Sequence, residues 1–533
     1  MPYGHHLFVA VALSAAIPTD CKHTLFAFPD MESSIALQDD SYRKHLSSNH
    51  FPVVSLRSTT GYREIIPPGN HYILLRTVFG RATIRPYCYA FPSVLKVVSN
   101  GSVKNSNKNG GHALNRIISQ IRFYMNALTA LKIFKSMLRD LLSRSAKTLG
   151  IGKVLSRFLE NVAGTIVAIR GRVNFLQLQR YSGLNEKTFR NNFSRDGIDW
   201  LRLNKMFISG TVSPDRLVIA MDPAHISKSG RCTPGIGMYW SGASSKSVHG
   251  LELTAFAAID YVSGDCVMLG ASQTLPGDGE GTRKAMTECY LDALKSRREE
   301  LLKISDKLVA DAFFSRKTFA LEAVKMGFTL ISKFPGNASL SYLANEPYLE
   351  KRGTRKGYKP TYAGRVDIKH PDMMFCQKIR IDGIGVFHTA VVHSTSLRIN
   401  VRIVIGRIGD RDNVILFSTD PSVSAADIVS IYRKRFRIEF GIRDAKQFTG
   451  LSHNQSRNTA RIDFAYNISF FTRNMLQSEI DLFFPKNSVG QLKKAISDTV
   501  FALKILDIGD VRLKKRQILQ LEKLVATYIG AAA

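Results

Sequence analysis

No apolar run in this sequence approaches the roughly 20 residues that a membrane-crossing helix needs, so a helical membrane protein is excluded and a soluble chain is expected. The short run LFVAVALSAA at residues 7–16 resembles the core of a secretory leader, but no Lys or Arg precedes it. Cysteine is scarce and scattered: Cys21, Cys88, Cys232, Cys266, Cys289 and Cys376 form no C-x-x-C pair. Neither a disulfide framework nor a zinc site is predicted, and a reducing, cytoplasmic location fits best. Nucleotide binding is excluded too, because Ser227-Lys228-Ser229-Gly230 lacks the preceding glycine spacing of a phosphate-binding loop. Most conspicuously, acid is in short supply, with 43 Asp and Glu against 74 Lys and Arg.

What remains is a chain of 533 residues with 44% apolar and 22% charged residues, a folded composition with length for two to four domains. A formal charge of +31 and a pI near 9.9 create a field that favours polyanions, above all nucleic acid. Association with nucleic acid is expected from that charge.

Residues 1–110 have weak periodicity and end in the polar stretch SNGSVKNSNKNGG, which reads as an N-terminal extension with a linker. Residues 111–210 read as a helical DNA-binding region. Within it FLQLQRYSGLNEKTFRNNF (175–193) has a turn at Ser182-Gly183 and a second helix capped by Asn185. A helix-turn-helix of this form presents Lys187, Thr188, Arg190 and Asn191 to a major groove, although generic helical hairpins share the pattern.

From Arg216 the period shortens to that of strands. RLVIAMD, LELTAFAAIDY and CVMLGASQTL predict three antiparallel strands, the last two joined at VSGD. TRKAMTECYLDALKSRREELLKI predicts one long helix, KLVAD and FTLISKF further strands, and KTFALEAVKMG the helix between them. Residues 211–334 and 421–480 therefore form an α/β domain with a mixed sheet and flanking helices. Residues 335–420 read as a β-rich insertion opened by the basic loop KRGTRKGYKPTYAGR, and residues 481–533 as a C-terminal helical region. That loop interleaves Tyr358 and Tyr362 with Arg355, Lys356 and Lys359, a mixture suited to phosphate neutralisation and base stacking.

Two acids directly follow apolar strand sequences, Asp222 after LVIAM and Asp311 after LVA. Each alone is an ordinary turn or cap residue. A third acid, Glu439, lies in IYRKRFRIEFGIRDAK (431–446), which SAAD opens as a capping box. At about 100° per residue, Tyr432, Arg435, Glu439 and Lys446 fall near 0°, 300°, 340° and 320°, on one face of a continuous helix. Arg433, Lys434 and Arg437 point away. Three carboxylates gathered by a sheet and a helix suit two Mg²⁺ ions, which prefer oxygen ligands. Two such ions roughly 3.5–4 Å apart activate the attacking oxygen and stabilise the leaving one in phosphodiester displacement.

The spacing Y-x2-R-x3-E-x6-K, filled by Tyr432, Arg435, Glu439 and Lys446, resembles the signature of one group of bacterial insertion-sequence transposases. These are DDE enzymes with a ribonuclease-H-like core. DPAHISKSGRCTPGIGMYWSG and DKLVADAFFSRKTFALEAVKMGFTLISKFPGNASL resemble the regions of their first and second aspartates, and the likeness covers about residues 125–480. It implies Asp222, Asp311 and Glu439 as a metal-binding catalytic triad that uses two Mg²⁺, with Mn²⁺ able to substitute. It implies Tyr432, Arg435 and Lys446 as contacts to transposon-end DNA, target DNA as a second substrate, and a homodimer on DNA. The β-rich insertion between the second and third acids matches the family's habit. A same-fold nuclease that does not join strands, and a domesticated DNA-binding protein that has lost activity, are the competing readings. Lys228 and Lys246 are candidate phosphate contacts, Trp240 is expected in the core rather than as the aromatic that some relatives use to hold a flipped base, and His225, His249 and His453 are expected to be structural or exposed.

Overall fold

The computed structural model describes residues 127–210, 212–242, 244–276, 284–344, 362–407, 414–485, 487–509 and 517. The N-terminal extension and the cations Arg355, Lys356 and Lys359 lie outside these residues. Helix α1 (Ala127–Leu149) and helix α2 (Lys153–Ala168) follow the three- and four-residue apolar period, burying Phe134, Leu138 and Leu142 from one and Leu159, Val162 and Ile166 from the other. Helix α3 (Phe175–Ser182) closes at Gly183 in the left-handed region (φ 76°), where glycine costs least. Helix α4 (Glu186–Phe193) starts at Asn185, whose side chain accepts from the Lys187 amide at 2.8 Å. The predicted turn and cap are both present. Helix α5 (Trp200–Lys205) leads into the sheet.

Strand β1 (Leu217–Ser227) lies antiparallel to β3 (Lys246–Asp260), which also pairs with β2 (Gly237–Ser241) and β4 (Cys266–Gln273). On its other edge β1 runs parallel to β5 (Lys307–Val309), and β5 parallel to β6 (Thr329–Phe334). Three antiparallel strands followed by two parallel ones, in the order β4-β3-β1-β5-β6, form the ribonuclease-H-like core. The expected single helix before β5 is two, α6 (Met286–Lys295) and α7 (Arg298–Leu302). Between them Arg297 turns inward to the carbonyls of Ala293 and Ala271 and over the Phe256 ring, which breaks the axis. Helix α8 (Lys317–Lys325) joins β5 to β6.

The interval between Asp311 and Glu439 does not stand apart as its own sheet. Strands β7 (Leu340–Leu343), β8 (Tyr362–Arg365), β9 (Gln377–Ile381), β10 (Gly385–Ser394), β11 (Ile399–Gly406) and β12 (Val414–Ser418) continue the core sheet, because β12 pairs antiparallel with β6. Within this interval residues 373–375 form a turn before β9. Stacked Phe334 and Phe417 rings, 3.9 Å apart, seal the junction.

One sheet face is covered by α6–α8 and carries Ile219, Met221, Phe256 and Leu308. The other carries Val218, Ala220, Ala255 and Val309 under α9 (Ala425–Lys434), α10 (Arg437–Asp444) and the long helix α11 (Thr459–Phe483). The opposite side of α11 joins α1–α5 and α12 (Val489–Ile508) in a second core built on Phe134, Phe158, Phe193, Phe464 and Leu492. The helices before and after the α/β fold thus share one interior. Among the described residues no helix is long and apolar enough to cross a membrane.

Candidate active site

Parallel pairing decides where the first two acids meet. Ala220 is in register with Val309, and two residues further along each chain come Asp222 and Asp311. Side chains two apart share a sheet face, and Ala220 and Val309 both lie on the face under α9 and α10. Strand β5 stops at Val309, so β1 continues past it and leaves Asp222 on an open edge. Asp311 caps the short turn Ala312–Ser315, accepting from the Phe313 amide at 3.0 Å, while Ser332 holds its carbonyl.

The third acid arrives on a helix that is not continuous. Helix α9 starts at Ser424, which accepts from the Asp427 amide as the capping box predicts, and ends at Lys434. A turn at Arg435–Phe436 precedes α10, and a π-turn (Ala445–Thr449) follows it. The Arg435 amide still bonds to the carbonyls of Ile431 and Tyr432, so the two helices stay in line. Ile431, Ile438, Ile442 and Ala445 face the sheet. Gly441 lets α10 lie against β4, since a methyl there would overlap the Met268 side chain.

Arg435, 6% exposed, bridges two acids: one guanidinium nitrogen is 2.9 Å from Glu439 Oε1 and another 3.6 Å from Asp222 Oδ1. Its plane lies 4.5 Å over the Phe436 ring and 5.9 Å from the half-buried Tyr432 ring. Lys446 Nζ, carried by the π-turn, donates to the His225 carbonyl at 2.7 Å. Burial lowers the Lys446 pKa, and the nearby Asp222 carboxylate opposes that shift. Asp222 itself is pushed up to about 8, first by burial, against the pull of Arg435, then by the charges of Glu439 and Asp311. The four helix residues and both strand acids therefore belong to one electrostatic site.

A model of the transposase DDE domain matches residues 218–475. Residues 218–475 thus carry a transposase DDE domain. Comparison with curated proteins finds no match.

The transposase family generally uses divalent metal ions. Among the described residues no three His, Cys, Asp or Glu side chains stand close enough to hold one ion together. Arg435 contacts Glu439 and Asp222, and one carboxylate oxygen of Asp311 accepts from the Phe313 amide. In kind the residues fit a divalent cation. Every donor is a carboxylate oxygen, the ligand that Mg²⁺ prefers, and a bound cation would relieve the cost of ionising Asp222.

The remaining predicted residues divide. Lys187 is exposed at the start of α4. Arg190 is exposed but paired with Glu186 and stacked 5.1 Å over Phe175. Lys228 is tied down, donating to the carbonyls of Asn454 and Ser456, whereas Lys246 is exposed. His225 and His249 contact the carbonyls of His249 and Lys228, and His453 accepts from the Val173 amide. Trp240, expected in the core, is 63% exposed, because β2 ends the sheet on that side. Sequence reasoning missed Phe436 and Phe440, 37% and 42% exposed beside Glu439, the second under the Arg443 guanidinium at 4.7 Å. Their i, i+4 spacing on the helix face outside the apolar row was the available signal.

Proposed function

We propose that the chain is a DNA transposase that cuts the ends of its element and joins them to target DNA. The observation that carries this reading is the parallel register that sets Asp222 beside Asp311, with Glu439 and Arg435 closing over them. Asp222, Asp311 and Glu439 are the residues that would hold two Mg²⁺, with Mn²⁺ as a substitute. When bound, such a pair supplies charge stabilisation for the attacking and leaving oxygens of a phosphodiester.

The chain's own groups do the rest. Arg435 touches two acids, Glu439 and Asp222, in the free protein and offers the same fork to a phosphate, which accepts two parallel N–H bonds. Tyr432 lies beside that guanidinium. Lys446, already desolvated and close to Asp222, adds a second cation on the side of β1. Helix α4 carries Lys187 and Arg190 toward duplex DNA, and the basic tract with Arg355, Lys356 and Lys359 adds backbone contacts. A homodimer on DNA would bring two ends together.

The test uses the full chain, labelled element-end DNA and Mg²⁺. Cleavage followed by joined products is expected. Cleavage that persists in Asp311→Ala or Glu439→Ala sinks the assignment of the acids. Cleavage without joined products favours the nuclease reading, and binding without cleavage favours a DNA-binding protein that has lost activity.

A further inference from the structure

Backbone pairing brings the first two acids near each other but stops short of both. Strands β1 and β5 pair through Ile219 with Leu308 and Ala220 with Val309, two residues before Asp222 and Asp311. Ser332 holds the Asp311 carbonyl at 2.7 Å, but the Asp311 carboxylate bonds within its own turn, to the Phe313 amide at 3.0 Å. Its direction therefore follows the turn Ala312–Ser315, and that turn has to be fixed from outside.

The other face of the sheet supplies an anchor. On β3 Ala255 is the partner of Asp222 and Glu252 the partner of His225, so Glu252 lies on the face opposite Asp222, with Phe256 under α6–α8. Glu252 is 5% exposed there, and Tyr290 of α6, itself buried, donates to its Oε1 at 2.8 Å. The Tyr290 ring meets Phe313 and Phe314 of the turn edge-on, with centroids 5.8 and 5.4 Å away, and Phe314 packs on Phe319 of α8 at 4.6 Å. One hydroxyl–carboxylate bond thus fixes the ring against which the turn of Asp311 rests. Burial first, and then the Glu252 charge, raise the Tyr290 pKa with a contribution from Asp311, so the hydroxyl stays a donor and feels the Asp311 charge. Packing alone does not call for this pair, because an apolar side chain in place of Glu252 would avoid the cost of burying a carboxylate. A hydrogen bond adds what apolar packing lacks, a fixed direction.

We propose that Glu252 and Tyr290 are positioning residues that set the Asp311 carboxylate beside Asp222 for a divalent cation. They act from behind the sheet, through Phe313 and Phe314. This rests on the assignment of the acids above, and its test reads metal binding as well as cutting. The full chain is titrated with Mn²⁺ alone, without DNA, and the binding counted is the part that Asp311→Asn abolishes. Tyr290→Phe keeps the ring and loses the hydroxyl; it should weaken this binding by roughly 10- to 100-fold, as removing the partners of metal-holding side chains does. Glu252→Gln still offers an oxygen to Tyr290 and should stay close to the parent. Glu252→Ala should lose as much as Tyr290→Phe, and the double variant no more than either, since both remove the same bond. If Glu252→Ala does not fold, Tyr290→Phe against Glu252→Gln decides. Tyr290→Phe with a lower urea midpoint but unchanged Mn²⁺ binding makes the pair structural and overturns the proposal. So does Glu252→Gln as weak as Tyr290→Phe, which would make the charge rather than the bond the cause, and so does a parent whose Mn²⁺ binding does not depend on Asp311. If DNA cutting depends on Asp311 while Tyr290→Phe binds Mn²⁺ like the parent, the positioning role fails and the transposase reading stands. If Tyr290→Phe weakens Mn²⁺ binding but the parent cuts no DNA, the positioning role stands and that reading falls.

Discussion

Replacing Asp222 by Asn should stabilise the protein while removing the group that its chemistry needs. The Asp222 carboxyl is raised from 3.8 to about 8, chiefly by burial. A group whose folded pKa is raised contributes full stability below its unfolded pKa and loses it as pH rises through the folded value. Between about pH 4 and pH 8, folding must therefore take up a proton that the unfolded chain has given away. At about 1.36 kcal/mol per unit, that costs on the order of 4 kcal/mol at pH 7 and on the order of 2 kcal/mol at pH 5. Asparagine keeps the shape and escapes the cost. Denaturant unfolding with a chelator present should show Asp222→Asn more stable than the parent at pH 7, with a smaller gain at pH 5. Added Mg²⁺ should stabilise the parent, by an amount set by its affinity, and leave the variant little changed. A variant no more stable than the parent, or a gain equal at the two pH values, would refute the electrostatic account of the site.

Other substitutions probe neighbouring parts of the argument. Arg435→Gln removes a cation that touches two acids; a divalent ion about 5 Å away gains roughly 2 kcal/mol even at the dielectric of water. Mn²⁺ titration should therefore show about tenfold tighter binding together with lost DNA cutting, and weaker Mn²⁺ binding would contradict the bridging role. Glu479, fully buried in α11 with neither oxygen bonded, is raised to about 8 by burial. Glu479→Gln should gain on the order of 3 kcal/mol at pH 7 and about 1 kcal/mol near pH 5, so a melting-temperature difference independent of pH would be evidence against it. Gly441→Ala forces α10 away from Met268, with an expected loss of about 1–3 kcal/mol and slower cutting as Glu439 shifts; unchanged stability and rate would mean that the close approach does not position the acid. Asn185→Ala removes the cap of α4 and should cost about 1 kcal/mol, read from the urea midpoint, with no change expected in metal affinity.

Much of the sheet was readable because its strands are apolar runs bounded by turn residues. LELTAFAAIDY and CVMLGASQTL became β3 and β4, and the acids Asp222 and Asp311 fell where the runs predicted. The shared face of Arg435 and Glu439 was also readable, since i, i+4 geometry survives the turn between α9 and α10. Lys446 reached the site by another route than the one expected, on a π-turn whose irregular rise no fixed angle per residue foresees. Partners distant in sequence were the least legible. Nothing in TLISKF or VILFS says that β6 and β12 pair and fuse the interval after Asp311 to the core sheet. Likewise, the apolar side of α11 gave no sign that α1 and α12 would share its interior. Trp240 was misjudged for a related reason: whether a strand residue is buried depends on what covers its face, and nothing covers the end of β2.

The central claim is that Asp222, Asp311 and Glu439 act as one unit on a phosphodiester. The most direct measurement compares cutting of labelled element-end DNA in Mg²⁺ by Asp222→Asn, Asp311→Asn, Glu439→Gln and the triple variant. Residues that act as a unit are strongly non-additive, so each single variant should fall to about the residual rate of the triple one. Single variants that keep substantial activity, with losses that multiply in the triple variant, would contradict the claim.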